Sequence, residues 1–292
     1  MEFEEIIESQ PNLRENVLAK LGRLYPLKSG CGTFANTKLM RFLSGNRNVN
    51  LWAGVRGGKA LVPIDDLVGR SMYFVGDLDP KTSWVVDRFV RPGDVTLDVG
   101  ANLGLVSLHL ASKVGSKGQV HAFEPNPGMI AYLKRTLSAN SHHPITLHEM
   151  GLGNEETTLP LGIPMGNLGR ASFLTRFEAS VDVPVRRLTD YASEIGLSRI
   201  DFIKLDVEGF ETEVLRGGLD LIRETRPRAI LLEEHAPLDP LPPSLQLLKG
   251  LGYRLFLLPR TFLTVKLIPF DEPGHRKSHD YVAVQPEVRL PA

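Results

Sequence analysis

The chain has 292 residues, a single cysteine, and 34 Lys and Arg against 34 Asp and Glu, so its formal net charge is zero. One cysteine excludes an internal disulfide and fits a reducing compartment, and the charge balance argues against a chain-wide electrostatic grip on nucleic acid or an anionic membrane, although a local basic patch can hide within it. The length suits one large domain, with or without an extension, the composition is that of an ordinary soluble globule, and no run of about 18 apolar residues marks a membrane span.

The opening stretch, Met1-Glu-Phe-Glu-Glu-Ile-Ile-Glu8, is acidic and lacks a signal-peptide pattern, so a cytoplasmic location is expected. Residues 4–24 have helical spacing, with Ile6, Ile7, Leu13, Val17, Leu18 and Leu21 on or near one stripe. Cys31 lies in Ser29-Gly-Cys-Gly-Thr33 with no His or acid close in sequence, and reads as a structural or incidental thiol. Short strands are predicted at 49–55 and 59–64. Residues 1–75 therefore read as an N-terminal extension: a cap that covers or gates the rest, or a packing appendage with no part in a site. Residues 76–292 form the main domain.

From residue 82 strands and helices alternate. A helix over 82–89 stops at Arg91-Pro92-Gly93-Asp94. Strands follow at 95–99, 119–123 and 145–149, with helices at 105–114 and 128–139 between them. Residues 151–177 read as loops with strand fragments. A short helix over 188–195 leads to a strand at 200–206, a helix at 211–223, a strand at 229–233 and a helix near 244–251. Strands at 253–258 and 281–285 end the pattern as an antiparallel edge pair. Alternation of this kind implies a parallel sheet with right-handed crossovers.

Two constellations carry the chemistry. In Val95-Thr-Leu-Asp-Val-Gly-Ala-Asn-Leu-Gly-Leu-Val106, a strand ends in Asp98 and turns through Gly100 and Gly104 into a helix. Such a turn lets a ligand approach bare backbone near a helix N-terminus. The next strand ends in Glu124, 20 residues after Gly104, where an acid can accept hydrogen bonds from both ribose hydroxyls. A nucleoside cofactor is implied. Asn102 stands where a dinucleotide fingerprint needs its middle glycine, and Asp98 is poor company for a pyrophosphate. A cationic ligand with an amino-acid part, such as S-adenosylmethionine, fits better; the bland reading is that the glycines only permit close helix–strand packing.

The second constellation is Ile203-Lys-Leu-Asp-Val-Glu-Gly-Phe-Glu211. Strand alternation puts Lys204, Asp206 and Glu208 on one side while strand geometry lasts. Ligands bind beyond the carboxyl ends of parallel strands, so Asp98, Glu124 and Asp206 are expected at one rim. The bland alternative is a Lys204–Asp206 ion pair with Glu208 capping the next helix. The strand at 229–233 leads into Glu234 and His235, which can reach the same rim. His142, His143, His275 and His279 read as surface residues, and His109 and His121 as structural ones.

These residues resemble the FkbM-type family of S-adenosylmethionine-dependent methyltransferases. The matching stretches are Asp98-Val-Gly-Ala-Asn-Leu-Gly104, Phe123-Glu-Pro-Asn-Pro127, Ile200-Asp-Phe-Ile-Lys-Leu-Asp-Val-Glu-Gly-Phe-Glu211, and Arg226-Pro227 leading to Leu232-Glu-Glu-His235. The resemblance spans about residues 76–285. It implies an α/β, Rossmann-like class I methyltransferase fold: a seven-stranded, mostly parallel sheet with one antiparallel edge strand and helices on both faces. It also implies O-methylation of a hydroxyl on a small molecule or sugar. By the resemblance Asp98, Gly100, Ala101, Asn102 and Gly104 line the methionine side of the cofactor, Glu124 and Pro125 the ribose side, and Asn126 lies near the adenosine. Lys204, Asp206 and Glu208 face the methyl group and acceptor. Asp206 or His235 is the candidate base, with Lys204 orienting the carboxylate or stabilising an oxyanion. Substrate choice is expected around Gly166-Asn-Leu-Gly-Arg-Ala-Ser172 and in the N-terminal part. Asp206, Glu208 and Glu233 are hard oxygen donors, but no spacing demands a metal and none is expected. The competing readings are an NAD(P)-dependent oxidoreductase on a similar sheet and a non-catalytic S-adenosylmethionine-binding module. A nucleic-acid partner is disfavoured by the neutral charge and by the lack of an Asn-Pro-Pro-Tyr or Asp-Pro-Pro-Tyr run.

Overall fold

In the computed structural model, the structure describes residues 6–45, 47–164, 171–175, 177, 179–236, 240–270 and 278–290. The N-terminal part contains α1 (Leu13–Gly22), α2 (Cys31–Ala35), α3 (Lys38–Ser44), the hairpin β1 (Asn50–Val55) and β2 (Gly58–Pro63), and α4 (Leu67–Phe74). Then follow α5 (Pro80–Phe89), β3 (Val95–Val99), α6 (Leu105–Val114), β4 (Gln119–Phe123), α7 (Pro127–Ser138), β5 (Ile145–His148), β6 (Gly151–Gly153), β7 (Thr157–Ile163), β8 (Ala179–Arg187), α8 (Leu188–Glu194) and β9 (Phe202–Leu205). The chain continues through α9 (Glu211–Gly217), α10 (Leu219–Thr225), β10 (Ala229–Glu233), α11 (Pro243–Gly250), β11 (Arg254–Leu257), β12 (Ile268–Pro269) and β13 (Asp280–Val284).

The main sheet has eight strands in the order β12-β11-β13-β10-β9-β3-β4-β5. β10, β9, β3, β4 and β5 are mutually parallel. Two strands are reversed, the short β12 at the edge and β13 within the sheet. β13 lies between β10 and β11 and runs antiparallel to both. The two-residue β12 adds the eighth strand.

Side-chain alternation splits the core in two. Leu97, Val99, Ile203, Leu205, Ile230 and Leu232 pack with α8–α11 on one face. Phe202, Ala229, Leu231 and Val282 pack with α5 and α6 on the other. By the same parity Asp98, Lys204, Glu233 and Asp280 belong to the α5–α6 face.

Several sequence expectations need correction. The helix expected over 4–24 starts only at Leu13, because Asn12 closes a capping box with Glu15. Its apolar stripe does not face the core: Leu13, Val17 and Leu21 are exposed. The helix expected over 211–223 is two helices that meet at Gly218. The stretch 151–177 supplies β6 and β7 of a second, three-stranded sheet, and β8, which pairs with both, was not foreseen. Its polar outward positions hide the strand pattern. The helices α2, α3 and α4 are too short for periodicity to reveal.

Two devices hold the N-terminal part. Gly57, at the β1–β2 turn, has φ +83°, and a Cβ there would stand 2.1 Å from the Leu108 carbonyl oxygen of α6, so only glycine lets the hairpin seat on that helix. Arg70 is fully buried (0% exposed). Its guanidinium donates to the carbonyls of Ala35 (2.8 Å), Ile64 (3.2 Å) and Met40 (3.0 Å) and to the Ser44 hydroxyl (2.6 Å). Burial pushes its pKa down to about 10, so it stays charged near neutrality. Replacing Arg70 by Ala strands these acceptors in the interior. A loss of roughly 3 kcal/mol in the free energy of unfolding is expected from denaturant titration.

Candidate active site

The carboxyl ends of β3, β4, β9 and β10 open into a cavity of about 1290 Å³. Its volume exceeds the roughly 1,000 Å³ to which small-molecule pockets run. Gly100, Ala101, Asn102, Glu124, Pro125, Lys204, Asp206, Glu208 and His235 all line it. Asp98, Gly104 and Asn126 stand behind the wall. Asp98 is fully buried. Gly104 is the N-cap residue of α6. The Asn126 side chain accepts from the Gly128 amide (3.0 Å) at the start of α7.

Lys204 pairs in register with Asp98 across β3 and β9. Its ammonium lies 3.3 Å from Asp98 Oδ1 and 3.6 Å from Asp206 Oδ2. It donates to the carbonyl of Gly100 at 2.6 Å. Burial works against the ammonium, but Asp98, Asp206 and Glu124 outweigh it and hold the Lys204 pKa above its ordinary value. The second Asp98 oxygen accepts from the Ser107 hydroxyl of α6 at 2.5 Å. Lys204 thus ties the end of β9 to the glycine turn after β3. The turn is tight as well: Gly100 has φ +80°, and a Cβ there would lie 1.9 Å from the Asp206 carbonyl oxygen.

Glu124 is buried at the end of β4 and spans two segments. Its carboxylate accepts from the Asn102 amide (2.7 Å) and the Asn126 amide (2.8 Å). Burial pushes its pKa up to about 7, against those two amides. Each oxygen retains capacity for a second donor.

Strand alternation reaches only Lys204, since β9 ends at Leu205. Asp206 lies beyond it, its side chain 43% exposed. Glu208 adopts φ +53°, and Asn102 φ +52°; both are non-glycine residues in the left-handed region and both line the cavity. Such backbone strain of about 1–3 kcal/mol concentrates at functional sites. Glu211, which sequence reasoning quoted without a role, holds this turn by accepting from the amides of Val207 (3.1 Å) and Gly209 (3.2 Å). The N-cap residue of the next helix is Phe210.

His235 Nε2 lies 3.2 Å from Glu233 Oε1. Desolvation and His279, whose ring centre is 4.7 Å away, lower the His235 pKa. Burial and the neighbours Asp206, Asp280 and Glu208 push Glu233 up to about 8. Lys81, at the start of α5, pairs with Asp280 and lies 3.4 Å from Asp79. Sequence reasoning missed Lys81, Asp79 and Asp280, because no short spacing links α5 to β13. It also took His109 for purely structural. That residue bonds Asp87 at 3.1 Å and lines the cavity too. His121 is buried against His148 (3.0 Å). His143 reaches the Gly57 carbonyl (2.6 Å) rather than solvent alone. His275 and residues 166–170 lie outside the described residues. The N-terminal part does reach the cavity, through Tyr25, Leu27, Phe34 and Thr37. Among the described residues no group of three or more His, Cys, Asp or Glu is arranged to hold a metal ion.

A twisted, mostly parallel sheet with a reversed strand beside its last parallel member, and a glycine turn with two acids at the sheet's centre, define the class I methyltransferases. Residues 98–255 match the family described as Methyltransferase FkbM domain, and the chain belongs to that family. It is 30% identical over 158 residues to the 2-O-methyltransferase NoeI of Sinorhizobium fredii, covering 49% of this chain and 64% of that protein. It is 28% identical over 200 residues to the 31-O-demethyl-FK506 methyltransferase FkbM of Streptomyces tacrolimicus, covering 56% and 74%. It is 30% identical over 142 residues to Methyltransferase 1 of Beauveria bassiana, covering 41% and 57%. The chain thus spans about three fifths of the length of Methyltransferase 1 and of NoeI. A solved S-adenosylmethionine-dependent O-methyltransferase from Thermotoga maritima is 15% identical, covers 80% of this chain and 76% of its own, and has a TM-score of 0.42.

S-adenosylmethionine is the cofactor. The residues fit it: the Gly100 turn exposes backbone without a side chain, Glu124 is a buried acceptor, and the carboxylates of the wall suit a sulfonium. Gly100→Ala forces the turn away from the Asp206 carbonyl. A lower melting temperature is expected, together with no heat on titration of S-adenosylhomocysteine into the protein that remains folded, measured by calorimetry in the cold.

Proposed function

We propose that this enzyme transfers the methyl group to a hydroxyl oxygen of a small molecule or saccharide. Two relatives whose names specify O-methylation support the oxygen acceptor. The observation that carries the reading is the half-exposed Asp206, held 3.6 Å from a buried Lys204 beside the Gly100 turn, in a cavity with room beyond the cofactor.

When bound, S-adenosylmethionine supplies a methyl carbon activated by a sulfonium whose leaving group is a neutral thioether. Gly100, Ala101 and Asn102 would hold its amino-acid end, with Lys204 in the cavity wall and Asp98 behind it fixing the turn. Glu124 accepts from the ribose hydroxyls and Pro125 borders them, while Asn126 fixes the start of α7. The acceptor hydroxyl loses its proton as its oxygen forms the new bond, which calls for a base. Asp206 takes that proton, or His235 does; the depressed His235 pKa keeps its imidazole neutral and able to accept. Glu208 and Glu233 accept from further hydroxyls of the substrate. Alignment of oxygen and methyl carbon is the larger part of the rate enhancement. Residues 1–75 serve as a cap whose inner wall, around Phe34, contacts the acceptor, and residues 76–292 form the methyltransferase domain.

Two measurements test this reading. Asp206→Asn should lower turnover by about 100-fold or more with little change in S-adenosylhomocysteine affinity; equal losses in both would count against Asp206 as base. Donor binding with no turnover on any hydroxylated acceptor would leave a binding module instead. Ribose hydroxyls pair best with an ionised Glu124, so binding expels its proton. Calorimetric affinity for S-adenosylhomocysteine should therefore rise with pH, by up to about tenfold per unit, and level off above about 7. Glu124→Gln should bind weakly and flatten that dependence.

A further inference from the structure

Helix α1 turns Leu13, Val17 and Leu21 away from the core. The face turned inward carries Glu15, Ala19 and Gly22, with Leu18 half-buried against the N-terminal core. Glu15 is fully buried and pairs with Arg47 at 2.8 Å. Gly22 lies so close to α4 that a Cβ would stand 2.3 Å from the Phe74 carbonyl oxygen. The opposite face presents Leu13 (79% exposed), Val17, Leu21 and Leu24 to solvent. The neighbouring α3 repeats the arrangement. It buries Met40 and Ser44 and exposes Leu39, Phe42 (80%) and Leu43. Among the described residues, eight of the thirteen exposed large apolar side chains fall within the first 45 positions. Scattered exposed apolar residues are ordinary; a concentration of this kind marks a contact surface.

The charge of the same segment identifies what it contacts. In a chain of zero net charge, residues 11–45 hold six Lys and Arg and a single acid, Glu15, which is already buried in its ion pair. Arg14, Lys20, Lys28 and Lys38 are exposed around the apolar stripes. Apolar stripes flanked by cations suit the headgroup boundary of an anionic bilayer, where the aliphatic side chains enter the acyl region and the cations meet phosphates. A second copy of the chain would bring like charges together. No helix among the described residues is long and apolar enough to cross a membrane, so contact lies in the surface plane.

The segment between α1 and α3 is also a wall of the cavity, through Tyr25, Leu27 and α2. The Lys28 amide donates to the Phe262 carbonyl (2.7 Å), joining a loop whose Phe262 and Leu263 side chains are exposed as well. We propose that the outward face of α1 and α3 docks this protein on anionic lipid surfaces.

The test is co-sedimentation of the purified full chain with vesicles of phosphatidylcholine alone or of phosphatidylcholine with phosphatidylglycerol. Retention is expected only on the anionic vesicles, and it should fall as salt is raised. The triple variant Leu13→Gln, Val17→Gln and Leu21→Gln should lose at least about tenfold in vesicle affinity. Its S-adenosylhomocysteine binding heat should be unchanged, which separates this surface from the active site. The charge reversals Lys20→Glu and Lys38→Glu should weaken retention with the apolar face intact. Equal recovery with both vesicle types, or none with either, would overturn the proposal. So would light scattering that shows a dimer dissolved by the same triple variant, which would make the face a contact between copies.

Discussion

A full positive charge buried at the centre of a sheet organises this protein. Lys204 sits on β9 directly opposite Asp98 on β3, with its ammonium against that carboxylate and the Gly100 carbonyl. An unpaired ammonium there would cost several kcal/mol. Pairing it draws together the ends of two adjacent strands and the turn between β3 and α6. Ser107 completes the set from α6. The resulting wall cannot move in pieces: the Gly100 turn has no space toward the Asp206 carbonyl, and Glu124 is stitched to it through the Asn102 amide. Rigid backbone and an excess of carboxylate beside it suit a cationic donor.

The rest of the cavity depends on that wall for one side and on remote elements for the others. Parity in β10 and β13 puts Glu233 and Asp280 on the face of α5, where Lys81 meets Asp280. Burial and then the crowded carboxylates hold Glu233 proton-rich near neutrality, while His235 beside it loses basicity through desolvation and His279. Acid and imidazole are thus in contact and shifted in opposite senses at the edge of the cavity. The N-terminal part lines another side of the cavity and is held together around Arg70, whose guanidinium gathers carbonyls from α2, α3 and the end of β2. One buried cation thus shapes the cofactor wall, and another holds the N-terminal part together.

Much of this was legible in the residue order. The strand–glycine–helix turn at 95–114, the acid ending β4, and the Lys204 to Glu208 run were visible because their partners are close in sequence or fixed by period. The parallel sheet followed from alternation of strands and helices. One reversed strand was expected at the edge; the two-residue β12 is reversed there, and a second reversed strand, β13, lies between β10 and β11 and pairs on both of its sides. Lys81, Asp79 and Asp280 went unseen because 199 residues separate Lys81 from Asp280. The sequence showed an apolar stripe over residues 4–24 but not its orientation; a hydrophobic period reveals that a helix has two sides but not which side the protein covers.

The sequence alone therefore determined the local chemistry: the bare glycine turn, the acids at strand ends, and the family to which the chain belongs. Tertiary structure decided which of those acids line the cavity and which support it from behind, with Asp98 and Asn126 turned to structural bonds. It also decided that a basic, apolar surface faces outward. These outcomes rest on long-range packing, where the burial of Glu15 with Arg47 and the close approach of Gly22 to α4 outweigh the preference of four exposed apolar side chains for an interior.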